Sequence, residues 1–137
     1  LVLEEGLYER FGRHSYHENA LVQGLEAMGL TIYGGAMYKL PTVTCIEIPY
    51  GIDGDSVRKM LLEQFGIEIA SSFGPLHGKI WRIGTMGFSC RKENILAVLG
   101  ALEAVLIRHG FEPNRGAGVQ AALDFYEAPI CIPVREG

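Results

Sequence analysis

The first third of the chain carries one long apolar stripe. Leu3, Leu7, Phe11, His14, Glu18, Leu21, Leu25 and Met28 recur at three- and four-residue spacing, the period of an amphipathic helix. Gly29 follows the last of them, where a glycine stops a helix. The spacing predicts a helix over residues 3–28. A second stripe, Ile95, Val98, Leu99, Leu102, Val105 and Leu106, predicts another from about Arg91 to His109. Ser89 or Cys90 is its expected N-cap, Glu93 suits its positive end, and Gly110 stops it. Two helices with one greasy face each need a common surface to cover. Short strand patterns supply it, and the order helix, strands, helix, strands, helix, helix predicts an α+β domain: a small, mostly antiparallel sheet with helices packed on one face.

The strands are short. Thr42 to Ile48 is rich in β-branched residues and bounded by Pro41 and Pro49. Leu30 to Tyr33 reads as a brief strand broken by Gly34-Gly35, and Ile67 to Ala70 as another. Asp53 or Asp55 is placed to cap a helix that turns Val57, Met60, Leu61 and Phe65 inward and ends at Gly66. Ser71 to Gly78 is a loop, Lys79 to Gly84 a strand, and Ala117 to Tyr126 a last short helix. Pro129 to Gly137 reads as an extended tail.

The strand at Lys79 to Gly84 holds the residue that stands out. Ile80-Trp81-Arg82-Ile83 puts one guanidinium into an apolar run that then meets Gly84 and Gly87. Alternation places Arg82 on the face of Ile80, with Trp81 and Ile83 opposite. A planar guanidinium matches a carboxylate or phosphate bidentately, which lysine cannot do. Arg82 is therefore either an anion-recognition residue or an arginine satisfied by a neighbouring acid or carbonyl.

Composition narrows the partners. The 137 residues suit one domain with a real core, and the net charge of -4 carries no basic surplus for nucleic acid. Cys45, Cys90 and Cys131 are far apart and lack CxxC spacing, which predicts reduced thiols in a cytoplasmic setting. No apolar run is long enough to span a bilayer. The chain starts at Leu1 without a signal-peptide pattern and enters helical periodicity at once, which reads as part of a longer protein.

Other candidate motifs fail on spacing. Gly74-Pro75-Leu76-His77-Gly78-Lys79 resembles a phosphate loop, but Ile80 stands where Ser or Thr would hold magnesium. His14, His17 and Glu18 lack further ligands for a metal. Asp53 and Asp55 lack the glutamate of a calcium loop and suit helix capping better. Cys90 near a helix start has no base beside it in sequence and reads as structural. Lys39, Lys59, Lys79 and Lys92 lie near turns or on solvated faces, not where a cofactor-linked lysine is activated.

Three stretches taken together resemble the C-terminal small domain of the class V pyridoxal-phosphate aminotransferases, in the alanine–, serine– and ureidoglycine–glyoxylate group. They are Leu40-Pro41-Thr42-Val43-Thr44 leading to Ile48-Pro49; Phe65-Gly66-Ile67-Glu68-Ile69 with Gly74-Pro75 and Gly78-Lys79; and Arg82-Ile83-Gly84-Thr85-Met86-Gly87 followed by Arg91-Lys92-Glu93-Asn94-Ile95. The resemblance covers about residues 1–126. It implies an enzyme that moves an amino group from an amino acid to a 2-oxo acid such as glyoxylate. Arg82 then matches the arginine that pairs with the substrate carboxylate. Phe111-Glu112-Pro113, Gly116-Ala117-Gly118-Val119 and Ala121-Ala122 to Tyr126 resemble the extra C-terminal helix of the ureidoglycine branch, which serves purine catabolism.

The resemblance also implies what lies elsewhere. The Schiff-base lysine and the pyridoxal-phosphate and phosphate contacts belong to a large N-terminal domain, so this stretch alone should bind no cofactor, hold no catalytic residue and be inactive. Residues 1–29 would be the connector helix, 30–126 the small domain and 127–137 a tail. The family forms homodimers. The alternative is a stand-alone α+β module that binds a small carboxylate through Arg82.

Overall fold

A computed structural model describes residues 2–35 and 40–129 of the chain. Lys39, Cys131 and the tail beyond residue 129 lie outside the described residues. The elements run α1 (Val2–Glu5), α2 (Leu7–Met28), β1 (Val43–Glu47), α3 (Gly54–Phe65), β2 (Ala70–Ser71), β3 (Ile80–Gly84), α4 (Lys92–Arg108) and α5 (Ala117–Glu127). Single 3-10 turns at Gly74–Leu76 and Gly87–Ser89 flank β3. The sheet is antiparallel, in the order β1-β3-β2.

Register explains the two faces. Thr44 lies opposite Ile83 and Ile46 opposite Trp81, and all four are buried. Side chains of directly opposed residues share a face. That face meets Leu21, Leu25 and Met28 of α2, Val57 and Leu61 of α3, and Ile95, Leu99 and Leu102 of α4 in one continuous core. Cys45, Arg82 and Ala70 are opposed across the three strands on the other face, where none is fully buried. The helices pack on one face of a small antiparallel sheet, as the pattern of periods predicts.

The first helix departs from expectation in two ways. It is broken at Gly6, whose φ of 84° and ψ of 147° lie outside the range that side-chain-bearing residues adopt readily. The Gly6 carbonyl then accepts the first bond of α2, from the Arg10 amide. In addition, only the later part of the stripe is used. His14, Glu18, Leu21, Leu25 and Met28 are buried, whereas Leu3, Leu7 and Phe11 stay exposed.

Other boundaries move for local reasons. Leu30 to Tyr33 does not form a strand: Ile32 makes one isolated bridge to Ile46 before the chain turns at Gly34 and Gly35, both at positive φ. The strand expected at 67–70 begins only at Ala70, because Gly66 caps α3 and Arg58 Nε of that helix donates to the Ile69 carbonyl at 2.8 Å. Neither Ser89 nor Cys90 caps α4. Ser89 Oγ donates to the Met86 carbonyl, and the N-cap position falls to Arg91 in an extended conformation. Phe65 is exposed although Val57 and Leu61 of the same stripe are buried. Steps of four residues drift about 40° each around a helix, which carries Phe65 off the core face. Asp53 does cap α3, accepting from the Asp55 amide. Ser56 Oγ donates to its other oxygen at 2.7 Å, and that bond holds the carboxyl below the usual aspartate range.

The last helix is tied in closely. Gly24 of α2 and Gly118 of α5 face each other with no room between: a Cβ on Gly24 would sit 2.8 Å from the Gly118 carbonyl, and one on Gly118 3.0 Å from the Gly24 carbonyl. Asn114 adds two bonds to the end of α2, from its amide to the Met28 carbonyl and from Nδ2 to the Ala27 carbonyl.

Candidate functional site

Arg82 sits at the centre of β3, on the sheet face turned away from the helical core. Burying a guanidinium without partners is costly, and the fold leaves this one half-buried with a defined set of contacts. Nε donates to the Ser71 carbonyl at 3.0 Å. The Phe73 ring lies 5.1 Å from the guanidinium carbon, within cation–π range. Among the described residues no carboxylate forms an ion pair with it. Arg82 is thus satisfied by a carbonyl at Nε, as one sequence reading expects, while its two Nη nitrogens keep the fork that the other requires.

The guanidinium opens into a depression of about 570 Å³ bordered by Arg58, Glu68, Ser72, Phe73, His77 and Gly84. Arg58 is engaged already, at the Ile69 carbonyl and at Asp55 Oδ1, 3.2 Å away. His77 Nδ1 is 3.0 Å from the Ser72 carbonyl. A carbonyl can only accept, so Nδ1 carries the proton and Nε2 faces outward as an acceptor when the ring is neutral. The depression is a shallow, mixed-polarity recess with two guanidiniums, Arg58 and Arg82, and one carboxylate, Glu68, and the Nη edge of Arg82 is the part of it suited to a small anion.

The other residues weighed from sequence fall elsewhere. His14 and Glu18 are buried in α2, and no cluster of three metal-ligating side chains exists among the described residues. His17 Nδ1 and the Tyr126 hydroxyl share a 2.7 Å hydrogen bond between α2 and α5. Burial holds the Tyr126 hydroxyl firmly protonated and lowers the affinity of His17 for a second proton. Cys90 is buried, and desolvation pushes its thiol up despite the nearby Arg13, which suits an inert structural thiol. Lys59, Lys79 and Lys92 are exposed and none borders the Arg82 depression.

Sequence reasoning missed Arg13. Its guanidinium makes a two-pronged contact with Glu5, Nε to Oε1 at 2.6 Å and Nη2 to Oε2 at 3.1 Å. Its Nη1 donates to the carbonyls of Gly87 and Cys90, both at 2.9 Å. The adjacent His14 completes the grip, because its Nε2 accepts from the Gly87 amide at 3.2 Å. Gly87, three residues beyond the Arg82 strand, is therefore held at both its N–H and its carbonyl by consecutive residues of α2. Burial first, then Arg13 and Arg10, disfavours the charged ring at His14, which keeps Nε2 an acceptor. Nothing in local sequence marks a contact between residues 13 and 87.

No protein-family model matches the chain. It is 68% identical over 127 residues to the (S)-ureidoglycine–glyoxylate transaminase of Bacillus subtilis strain 168, covering 93% of the chain and 30% of that protein. It is 37% identical over 107 residues to the alanine–glyoxylate aminotransferase of Callithrix jacchus, covering 77% of the chain and 26% of that protein. Among solved structures, a ureidoglycine–glyoxylate aminotransferase from Bacillus subtilis superimposes with a TM-score of 0.90 at 67% identity, over 92% of the chain and 33% of its own. The pyridoxamine–pyruvate aminotransferase of Mesorhizobium loti does so with a TM-score of 0.86 at 30% identity, over 90% of the chain and 32% of its own. The chain spans less than a third of the length of the curated relatives named here.

Proposed function

Because this chain belongs to the class V aminotransferases and matches about a third of their length, we propose that it is the small domain of a pyridoxal-phosphate-dependent aminotransferase that delivers amino groups to glyoxylate. Its amino donor is (S)-ureidoglycine, a reading supported by 68% identity to the ureidoglycine relative against 37% to the alanine relative. Residues 1–29 connect to the large domain, 30–126 form the small domain, and the enzyme works as a cytoplasmic homodimer. Among the described residues no helix is long and apolar enough to cross a membrane.

The carrying observation is the free fork of Arg82. The α-carboxylate is the group that an amino acid donor and a 2-oxo acid acceptor have in common. One guanidinium can therefore seat both partners in turn at one place. A bidentate pair fixes the direction of the carboxylate as well as its position, and fixed orientation of the reacting carbon lowers the barrier that a freely tumbling substrate would face. Among the described residues the lysines are exposed and none lies in the Arg82 depression, which supports assigning the Schiff-base role elsewhere. The cofactor is held by the large domain, and the part this chain plays is carboxylate recognition.

The test is glyoxylate-dependent transamination by the intact enzyme carrying Arg82→Ala. Truncating one partner of a hydrogen-bonded charge pair costs about 2–5 kcal/mol, so kcat/KM for glyoxylate should drop at least about 30-fold. Cofactor absorbance should be unchanged. Near-normal kcat/KM in the variant would remove Arg82 from the site. Failure of the intact enzyme to use ureidoglycine while accepting alanine would correct the donor.

A further inference from the structure

The end of β2 and the loop that follows it take hold of Arg82 at two points. The Ser71 carbonyl accepts a hydrogen bond from Nε–H, and two residues later the Phe73 ring is centred 5.1 Å from the guanidinium carbon. Between them, the Ser72 carbonyl is tied to the protonated Nδ1 of His77, and the His77 amide donates to the Gly74 carbonyl at 3.1 Å. The loop is thus braced on itself while Phe73 stays 75% exposed. Phe73 is absent from the hydrophobic core, so core packing does not account for an aromatic ring at this position.

We propose that Phe73 is a positioning residue for carboxylate recognition, acting through Arg82, and that the His77–Ser72 bond steadies the loop that presents it. The inference rests on the reading of Arg82 as the carboxylate residue. A guanidinium offers a carboxylate two kinds of edge: Nε with its neighbouring Nη, or Nη1 with Nη2. The Ser71 carbonyl occupies the first. The second is left for the substrate, and the carboxylate meets Arg82 end-on. A ring centred 5.1 Å from the guanidinium carbon, within cation–π range, favours the position in which the Nη edge faces the depression. An arginine held this way before substrate arrives loses less side-chain freedom on binding.

Steady-state kinetics of the intact enzyme test this, with glyoxylate varied and with propionate as a non-reacting carboxylate inhibitor. Phe73→Leu keeps bulk and removes the π face. It should raise the KM for glyoxylate and the inhibition constant of propionate together, by about three- to ten-fold. The kcat at saturation should stay within about two-fold, because the lost contact acts on binding. Phe73→Tyr should restore both constants, and His77→Ala should shift them in the same direction as Phe73→Leu. The proposal is overturned if Phe73→Leu leaves both constants unchanged while Arg82→Ala raises them. If Arg82→Ala also leaves them unchanged, the carboxylate reading falls as well. Loss of kcat in Phe73→Leu without a change in either constant would assign the ring a structural role and overturn the proposal.

Discussion

At the scale of single residues, the side chains that do most are the ones with the fewest alternatives. Arg13 satisfies two backbone carbonyls and one carboxylate at once. Arg13→Met keeps much of the stem and removes every bond, and it should destabilise the fold by about 2–3 kcal/mol, within the range for hydrogen bonds to charged groups. Denaturant titration reads this as a lower midpoint. His14 adds a pH dependence. Its native pKa is lowered, chiefly by burial and next by Arg13, so the unfolded chain binds the proton more readily. Stability from this residue is fully present above the ordinary histidine value of about 6.5. It is lost as pH falls from there through the lowered native value. His17, lowered mainly by burial, adds in the same direction. Unfolding midpoints at pH 7.5 and 5 should differ, and His14→Gln should shrink the difference. Arg82 was legible in sequence because an arginine in an Ile-Trp-Ile strand is conspicuous. Arg13 was not, since a charged residue on a helix looks solvated until the turn at Gly87 is folded against it.

At the scale of elements, the period of hydrophobicity located the long helices well and the short strands less well. The α4 stripe is buried as predicted, because seventeen residues give the period room to declare itself. β2 has two residues, too few for any period. Its place depends on the left-handed cap at Gly66 and on Arg58 holding the Ile69 carbonyl. The crossing of α2 and α5 was also invisible, for it is made by absent side chains. Gly24→Ala puts a methyl against Leu99 and the Gly118 carbonyl, and Gly118→Ala meets Met28 and the Gly24 carbonyl. Each should cost about 1–3 kcal/mol through overpacking. At Gly12, also in α2 and with nothing within 4 Å of its missing Cβ, alanine should be neutral or stabilising. Thermal melts of the three variants compare them directly.

At the scale of the whole molecule, every helix from α2 to α5 and the inner face of the sheet contribute to one core. A single core predicts a single cooperative transition. The one tryptophan of this sequence, Trp81, reports it: the side chain is fully buried and its Nε1 donates to the Gly54 carbonyl at 3.2 Å. Its fluorescence and the helical circular dichroism should therefore change at the same denaturant concentration. Leu102→Ala, at the centre of that core, should lower both midpoints by the same amount, corresponding to about 2–5 kcal/mol. The α+β class followed from element order because a sheet this small must lean on helices to shed water.

The double hold on Gly87, at its amide and at its carbonyl, has a mechanical consequence. The turn it grips begins three residues beyond β3, and the helix that grips it starts with the exposed Leu7 and Phe11. Displacing that end of α2 must either carry the turn beside the Arg82 strand with it or break the Arg13 and His14 bonds to that turn. The placement of that turn, and of the chain leaving the strand that carries the guanidinium, is thus tied to the placement of α2.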